Sequence, residues 1–232
     1  AKGEAVAIPT MSATAPEILV QLDRPLDFAM VTDHGELLGE VRICTDPSLE
    51  GYDSGTCQTF RRGGQEGVTF FGMQTSLDGP QRFSLCGPEC YRDALQAAWR
   101  DIQDAAEDHY DRTEACSFVA FVGYEYTATT DVVNLHRNII FRNANVLDRP
   151  ITYYEAPTYY DLWRLLAEEC LDAGFGCDAL SIGHNSNLAN GNYFRPYYDG
   201  ATTEAEEREA AELRMRLEPL VEIFQHKGDA EC

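Results

Sequence analysis

No apolar run in the chain reaches the roughly 18 residues that a membrane-crossing helix needs, so nothing in the sequence reads as a span. Basic residues are scarce: 18 Lys and Arg stand against 39 Asp and Glu, a net charge of −21. A surface of that sign repels a phosphate backbone, which excludes DNA and RNA as expected partners. The same acidity favours solubility, and clustered carboxylates suit hard cations. Only one close cysteine pair exists, Cys86-Gly-Pro-Glu-Cys90, and no second pair answers it, so a zinc-ribbon module is a weak reading. There is no internal repeat and no low-complexity segment. No initiator Met precedes Ala1-Lys2-Gly3-Glu4, and no turn or tail follows Glu231-Cys232, so both ends are expected to continue in something longer.

What is present is a globular composition. The 232 residues are 44% hydrophobic and 11% aromatic, enough for a substantial core and consistent with one domain over 1–232. Eight cysteines are many for a chain in a reducing compartment, so disulfides and a periplasmic or extracellular location are expected. Cys44 and Cys57 bracket a loop rich in Asp, Ser and Gly and form the first expected pair. Cys116 with Cys86 or Cys90 is the second. Residues 44–90 carry Gly, Pro, Asp and Ser throughout and read as a long irregular insertion with a helical turn or two.

Elsewhere apolar strands alternate with helices. Ile18–Val20 and Phe28–Thr32 read as short strands. Tyr91–Ala115 reads as a helix, with Leu95, Ala98, Trp99, Ile102, Ala106 and Tyr110 on one face. CSFVAFVGYEYT, His136–Arg142 and ALSIGHN read as strands, Thr158–Ala173 as a helix, and Leu220–Gln225 as the last strand. Thr203 and Glu206 form a capping box ahead of a helix with acids in its first turn and arginines later. This alternation predicts an α/β fold with a largely parallel sheet or barrel.

The strands share a habit. Each of four apolar runs has a metal-capable or carboxylate residue at or near an end: Asp33 and His34 in FAMVTDH, Glu125 in FVAFVGYE, His184 and Asn185 in LSIGHN, Glu222 and His226 in VEIFQH. A fifth, NLHRNIIF, begins at His136. A lone histidine is most often a satisfied core or surface group, and His109, inside the long helix, is read that way. Four of five histidines at strand ends form a pattern instead. Strand ends converge on the active site in parallel α/β barrels, and histidine with carboxylate suits Zn, Mn or Fe. Arg137 and Lys227, next to these residues, are candidates to hold an anionic substrate, with ordinary surface charge an equal alternative.

VTDH, GYEYT, NLHRNIIFRN and IGHNSN resemble motifs of the PHP (polymerase and histidinol phosphatase) superfamily of metal-dependent phosphoesterases. Together with the cysteine-bracketed loop, CSFVAFVGYEYT and HKGDAEC, they resemble more closely an uncharacterised PHP-like family, domain of unknown function 3604. The resemblance covers nearly the whole chain. It implies a distorted (β/α)7 barrel with up to three divalent metals at its strand ends. It implies His34, Glu125, His136 and His184 as ligands, with Glu125 bridging, and Asp33 as ligand or orienting partner. Two departures stand out. The H-x-H strand that opens PHP proteins is absent, and no D-x-H pair follows His184. The chain therefore reads as an incomplete barrel, an internal fragment.

The resulting expectation is a metal-dependent hydrolase, acting on phosphoesters through metal-activated water, with Glu125, His136 and His184 catalytic. The substrate would be small and anionic, and the partner a second copy or the missing segments. The alternative is a non-catalytic envelope or assembly scaffold on the same fold, to which the tyrosine-rich NYFRPYYDG would be suited.

Overall fold

The computed structural model describes residues 1–8, 18–76, 79–129, 133–186, 189–225 and 228–229. His226, Lys227 and Cys232 lie outside them. Short strands β1 (Val6–Ile8) and β2 (Ile18–Val20) form an antiparallel ribbon. Strand β3 (Phe28–Met30) pairs in parallel with β4 (Val119–Phe121). The main sheet has the order β5 (Gly123–Tyr126), β6 (Arg137–Phe141), β7 (Ala179–Gly183) and β8 (Leu220–Val221). β9 (Phe224–Gln225) and β10 (Gly228–Asp229) form a last ribbon.

The architecture is mixed α/β, and no sheet closes into a barrel among the described residues. The expectation of a largely parallel sheet is corrected: β5–β6 and β6–β7 are antiparallel, and only β7–β8 and β3–β4 are parallel. For β5–β6 the reason lies in connection length. Tyr126 to Arg137 is shorter than the dozen or so residues that a parallel crossover needs, so the chain turns back on itself. The single strand expected from CSFVAFVGYEYT divides at Val122, and its halves serve different sheets. At that division a side chain on Gly123 would come within 2.9 Å of the Ile139 carbonyl.

Helix α1 (Leu38–Thr45) packs on α4 (Pro88–His109), which starts with proline in its first turn, where a missing N–H costs nothing. The expected irregular insertion is largely helical. α2 (Gly55–Arg62) is capped by Ser54, whose hydroxyl accepts from Cys57 N at 3.2 Å. α3 (Gly64–Gly72) follows directly and runs into a 3-10 turn at Met73–Ser76. Gly63 and Gly64 take φ of 65° and 66°, the left-handed conformation that lets one helix end and the next begin. Ile43, Cys44, Cys57, Phe71, Leu85 and Ala94 bury a small core beneath these helices. α5 (Tyr159–Leu166) continues as a π turn at Ala167–Leu171, and α6 (Glu204–Leu217) keeps the capping box of Thr203 and Glu206.

Three disulfides are present among the described residues, in keeping with an extracellular or periplasmic chain. Cys44–Cys57 is the expected one. The pairing of Cys116 with Cys86 or Cys90 is not formed. Cys86 and Cys90 are one turn apart at the start of α4, with Cα atoms 6.0 Å from each other, and bridge one another. Cys170–Cys177 ties the end of the π turn to the entry of β7, and Cys116 is free and exposed.

The main core gathers Trp99, Tyr124, Tyr126, Ile139, Phe141, Leu162 and Trp163 between the sheet and helices α4 and α5. Inside it lies one charge pair. Arg137, fully buried, donates through Nε to Glu218 Oε2 at 2.8 Å and through Nη1 to the Leu135 carbonyl at 2.8 Å. Its guanidinium lies 4.4 Å from the Tyr159 ring centre and 4.6 Å from that of Tyr193. The pair spans β6 and the end of α6, so removing Arg137 leaves the buried Glu218 carboxylate with only Arg214 at 3.5 Å and the Ser181 hydroxyl at 3.3 Å. Arg137→Ala is expected to cost about 3–5 kcal/mol, lowering the melting temperature by roughly 6–20 °C. A melting temperature unchanged by calorimetry would contradict this account of the core.

Candidate metal centre

Antiparallel pairing explains how residues at opposite strand ends meet. The end of β5 lies beside the start of β6, and the start of β6 beside the end of β7. Glu125 near the end of β5, His136 just before β6 and His184 just after β7 therefore share one edge. The His184 N–H donates to the His136 carbonyl at 3.1 Å, and the Tyr193 hydroxyl donates to the same oxygen at 2.6 Å. His34 joins from the β3 side by an isolated parallel bridge to Glu125. Glu125 N donates to the Asp33 carbonyl at 2.8 Å, and Gly35 N to the Glu125 carbonyl at 2.9 Å. A side chain on Gly35 would sit 3.0 Å from the Tyr124 ring, so glycine lets the chain pass close behind His34.

The side chains converge on one carboxylate. His34 Nδ1 lies 3.0 Å from Glu125 Oε2, and His136 Nδ1 lies 3.1 Å from Glu125 Oε1. One ligand atom from each of the three falls within 4.8 Å of the others. The Thr127 hydroxyl bonds His34 Nδ1 at 2.6 Å, and the Thr129 hydroxyl bonds His136 Nε2 at 3.2 Å. The His136 ring meets His34 and His184 edge to face, with centres 5.7 and 5.5 Å away. His184 Nδ1 donates to the Asn185 carbonyl at 2.7 Å, which leaves Nε2 carrying the lone pair.

Burial alone would raise the Glu125 pKa, but the hydrogen bond from His136 and the nearby imidazoles outweigh it and hold the carboxyl below its usual range. Burial lowers the His136 pKa, against the pull of Glu125, and His34 and His184 lower it further. The ionised carboxylate and neutral imidazole that result are the forms a divalent cation binds. Two nitrogens and a carboxylate, with the Thr129 hydroxyl on the far nitrogen of His136, fit Zn, Mn or Fe.

The other predicted residues are placed as follows. Asp33 is exposed, and its side chain lines a groove with Met30 and Phe121 rather than the triad. Asn185 is buried and supports the loop after β7: its backbone N–H donates to Glu222 Oε2 at 2.9 Å and its amide to the Ile223 carbonyl. Arg137 is not brought to the site, being committed to Glu218 in the core. His226 and Lys227 fall outside the described residues. His109 is exposed on α4, as read.

Sequence reading missed Glu36. It is fully buried, accepts from Thr127 N at 2.8 Å and Tyr153 N at 3.2 Å through Oε1, and has no hydrogen-bond partner at Oε2. Burial raises its pKa. It therefore fixes the residue whose hydroxyl holds His34. A signal was present: Glu36, Glu40, Ile43 and Cys44 recur at i, i+4, i+7 and i+8, which sets Glu40 on the apolar face of α1 and Glu36 in line with it just before the helix.

Beside the triad opens a cleft of about 660 Å³, lined by His34, Glu36, Thr127, Thr129 and His136 on one side and by insertion residues on the other. Calorimetric titration with Zn or Mn should show Thr129→Val weakening binding about 10–100-fold, as loss of a group supporting a ligand does. Glu125→Gln should weaken it more. Equal affinities in all three proteins would remove the triad as a metal centre.

The family model described as "Protein of unknown function (DUF3604)" matches residues 1–232. No curated protein and no solved structure matches the chain.

Proposed function

We propose a function for a chain that belongs to the DUF3604 family over its whole length: it is a metal-dependent hydrolase, acting on phosphoesters. The observation that carries this reading is the approach of two imidazoles to the two oxygens of one carboxylate, at the mouth of a cleft large enough for a small organic substrate. The resemblance of VTDH, GYEYT, NLHRNIIFRN and IGHNSN to PHP phosphoesterases supports the same chemistry.

His34, Glu125 and His136 would hold the ion. A bound divalent cation supplies Lewis acidity, activating water near neutral pH and drawing charge from the scissile group. The rest falls to the chain's own side chains. Glu125, held ionised, contributes the negative charge of the donor set. Thr127 and Thr129 fix the rotation of the two imidazoles, so the donors are aligned before substrate arrives. His184, its Nδ1–H occupied by the Asn185 carbonyl, offers Nε2 to take up or return a proton at the leaving oxygen.

Protein purified without chelator is expected to hydrolyse members of a phosphoester panel. Chelation should abolish turnover and Zn, Mn or Fe restore it. Glu125→Gln and His136→Ala should each lose about 100-fold or more, as catalytic-group deletions commonly do. Metal-loaded protein inert on every phosphoester, or variants as active as the parent, would overturn the assignment.

A further inference from the structure

The cleft beside the triad has a composition that the hydrolytic reading does not explain. Its far wall is apolar, formed by Leu37, Phe60 and Phe71, and among the described residues no Lys or Arg lines it. Its polar members apart from the imidazoles are Glu36, Thr127, Thr129 and Asn134, and the only formal charge these can bring is negative. Sites for small dianionic phosphates ordinarily surround them with Arg or Lys. Among the described residues a dianion would find no Lys or Arg here, and the acidic surface would oppose its approach.

The wall is also a built feature. Phe60 and Phe71 come from α2 and α3, with ring centres 5.1 Å apart. The Cys44–Cys57 bridge clamps α2 to α1, the helix that begins just beyond His34. Gly67 of α3 lines the same cleft. Apolar walls with a few convergent polar groups are the usual make-up of a site for an organic ligand.

We infer that the cleft selects a monoanionic ester whose non-reacting group is an aromatic ring, and that Phe60 and Phe71 seat that ring while the scissile end faces His34, Glu125 and His136. The inference rests on the metal-dependent hydrolase reading for the position of the scissile end. It assigns to the cysteine-bracketed insertion the role of a specificity wall. The Asn134 amide, which lines the cleft, supplies a neutral donor suited to a single negative charge.

The test compares two monoanions that cannot be hydrolysed, methyl(phenyl)phosphinate and dimethylphosphinate, by calorimetric titration into the Zn-loaded chain. They differ only in the ring. The phenyl compound should bind about tenfold or more tightly, the gain expected from burying one aromatic group. Truncating Phe71 risks unfolding the small core to which it belongs, so the informative variant is Gly67→Leu. Its Cβ would meet only the Thr59 and Phe60 carbonyls at 3.4 and 3.6 Å, ordinary contacts, and leucine favours the helix more than glycine does. Gly67→Leu should erase the phenyl preference while zinc stoichiometry stays unchanged. Equal affinities for the two phosphinates, no binding of either, or a preference that survives Gly67→Leu would overturn the inference. A chain that hydrolyses no ester yet keeps the phenyl preference would lose the hydrolase reading alone. One that hydrolyses esters without discriminating phosphinates would lose the aromatic subsite alone.

Discussion

Neighbouring residues on a strand point to opposite faces, and that alternation divides the structure's labour at the start of β6. Arg137 turns into the core, where Glu218, Tyr159 and Tyr193 enclose it. His136, one residue earlier, is thereby turned out towards Glu125. A buried guanidinium has few acceptable partners, and in this register Arg137 finds the Glu218 carboxylate. A slip of one residue would exchange the two faces, bringing arginine to the carboxylate and imidazole to the core. The ion pair thus fixes the register of β6, and through it the edge where β5, β6 and β7 place their polar ends.

The site itself is assembled from three short segments with strong local reasons for their positions. Glu125 is held by its place in the ladder, His34 by backbone bonds to both sides of Glu125, and His184 by its bond to the His136 carbonyl. Glu36 works one layer behind. Its carboxylate receives two backbone N–H groups, from Thr127 and Tyr153, and so pins the threonine that touches His34 to the loop beyond Pro150. The disulfide-stapled insertion closes the side of the cleft away from the sheet. Scaffold, donor set and wall are thus contributed by different parts of the chain and meet at a single opening.

Much of this was legible because apolar runs with abrupt polar ends leave few alternatives. His34, Glu125, His136 and His184 were picked out by that contrast, and the first three meet in the structure with the fourth alongside. The capping box of α6 and the inward face of α4 were readable from spacing alone. The direction of the sheet was not, because it depends on how the short link after Tyr126 turns, which apolar patterning does not encode. The insertion misled because its Gly, Ser and Asp mask a helical spacing, visible in retrospect as Cys57 with Phe60 and Gly67 with Phe71. Arg137 looked like a site residue because it adjoins one. Glu36 and Glu40 were not singled out, since acids are usually at the surface. Cys86–Cys90 was overlooked in favour of a longer-range partner, although a turn of helix spans the distance.

The account turns on whether the carboxylate between two imidazoles is a metal centre in the native protein. Elemental mass spectrometry of the full-length protein, purified without chelator or added metal, measures this directly. The account predicts at least one transition-metal ion per chain, lost together in Glu125→Gln. Native protein that carries none, and takes up none on incubation with Zn, Mn or Fe, would contradict it.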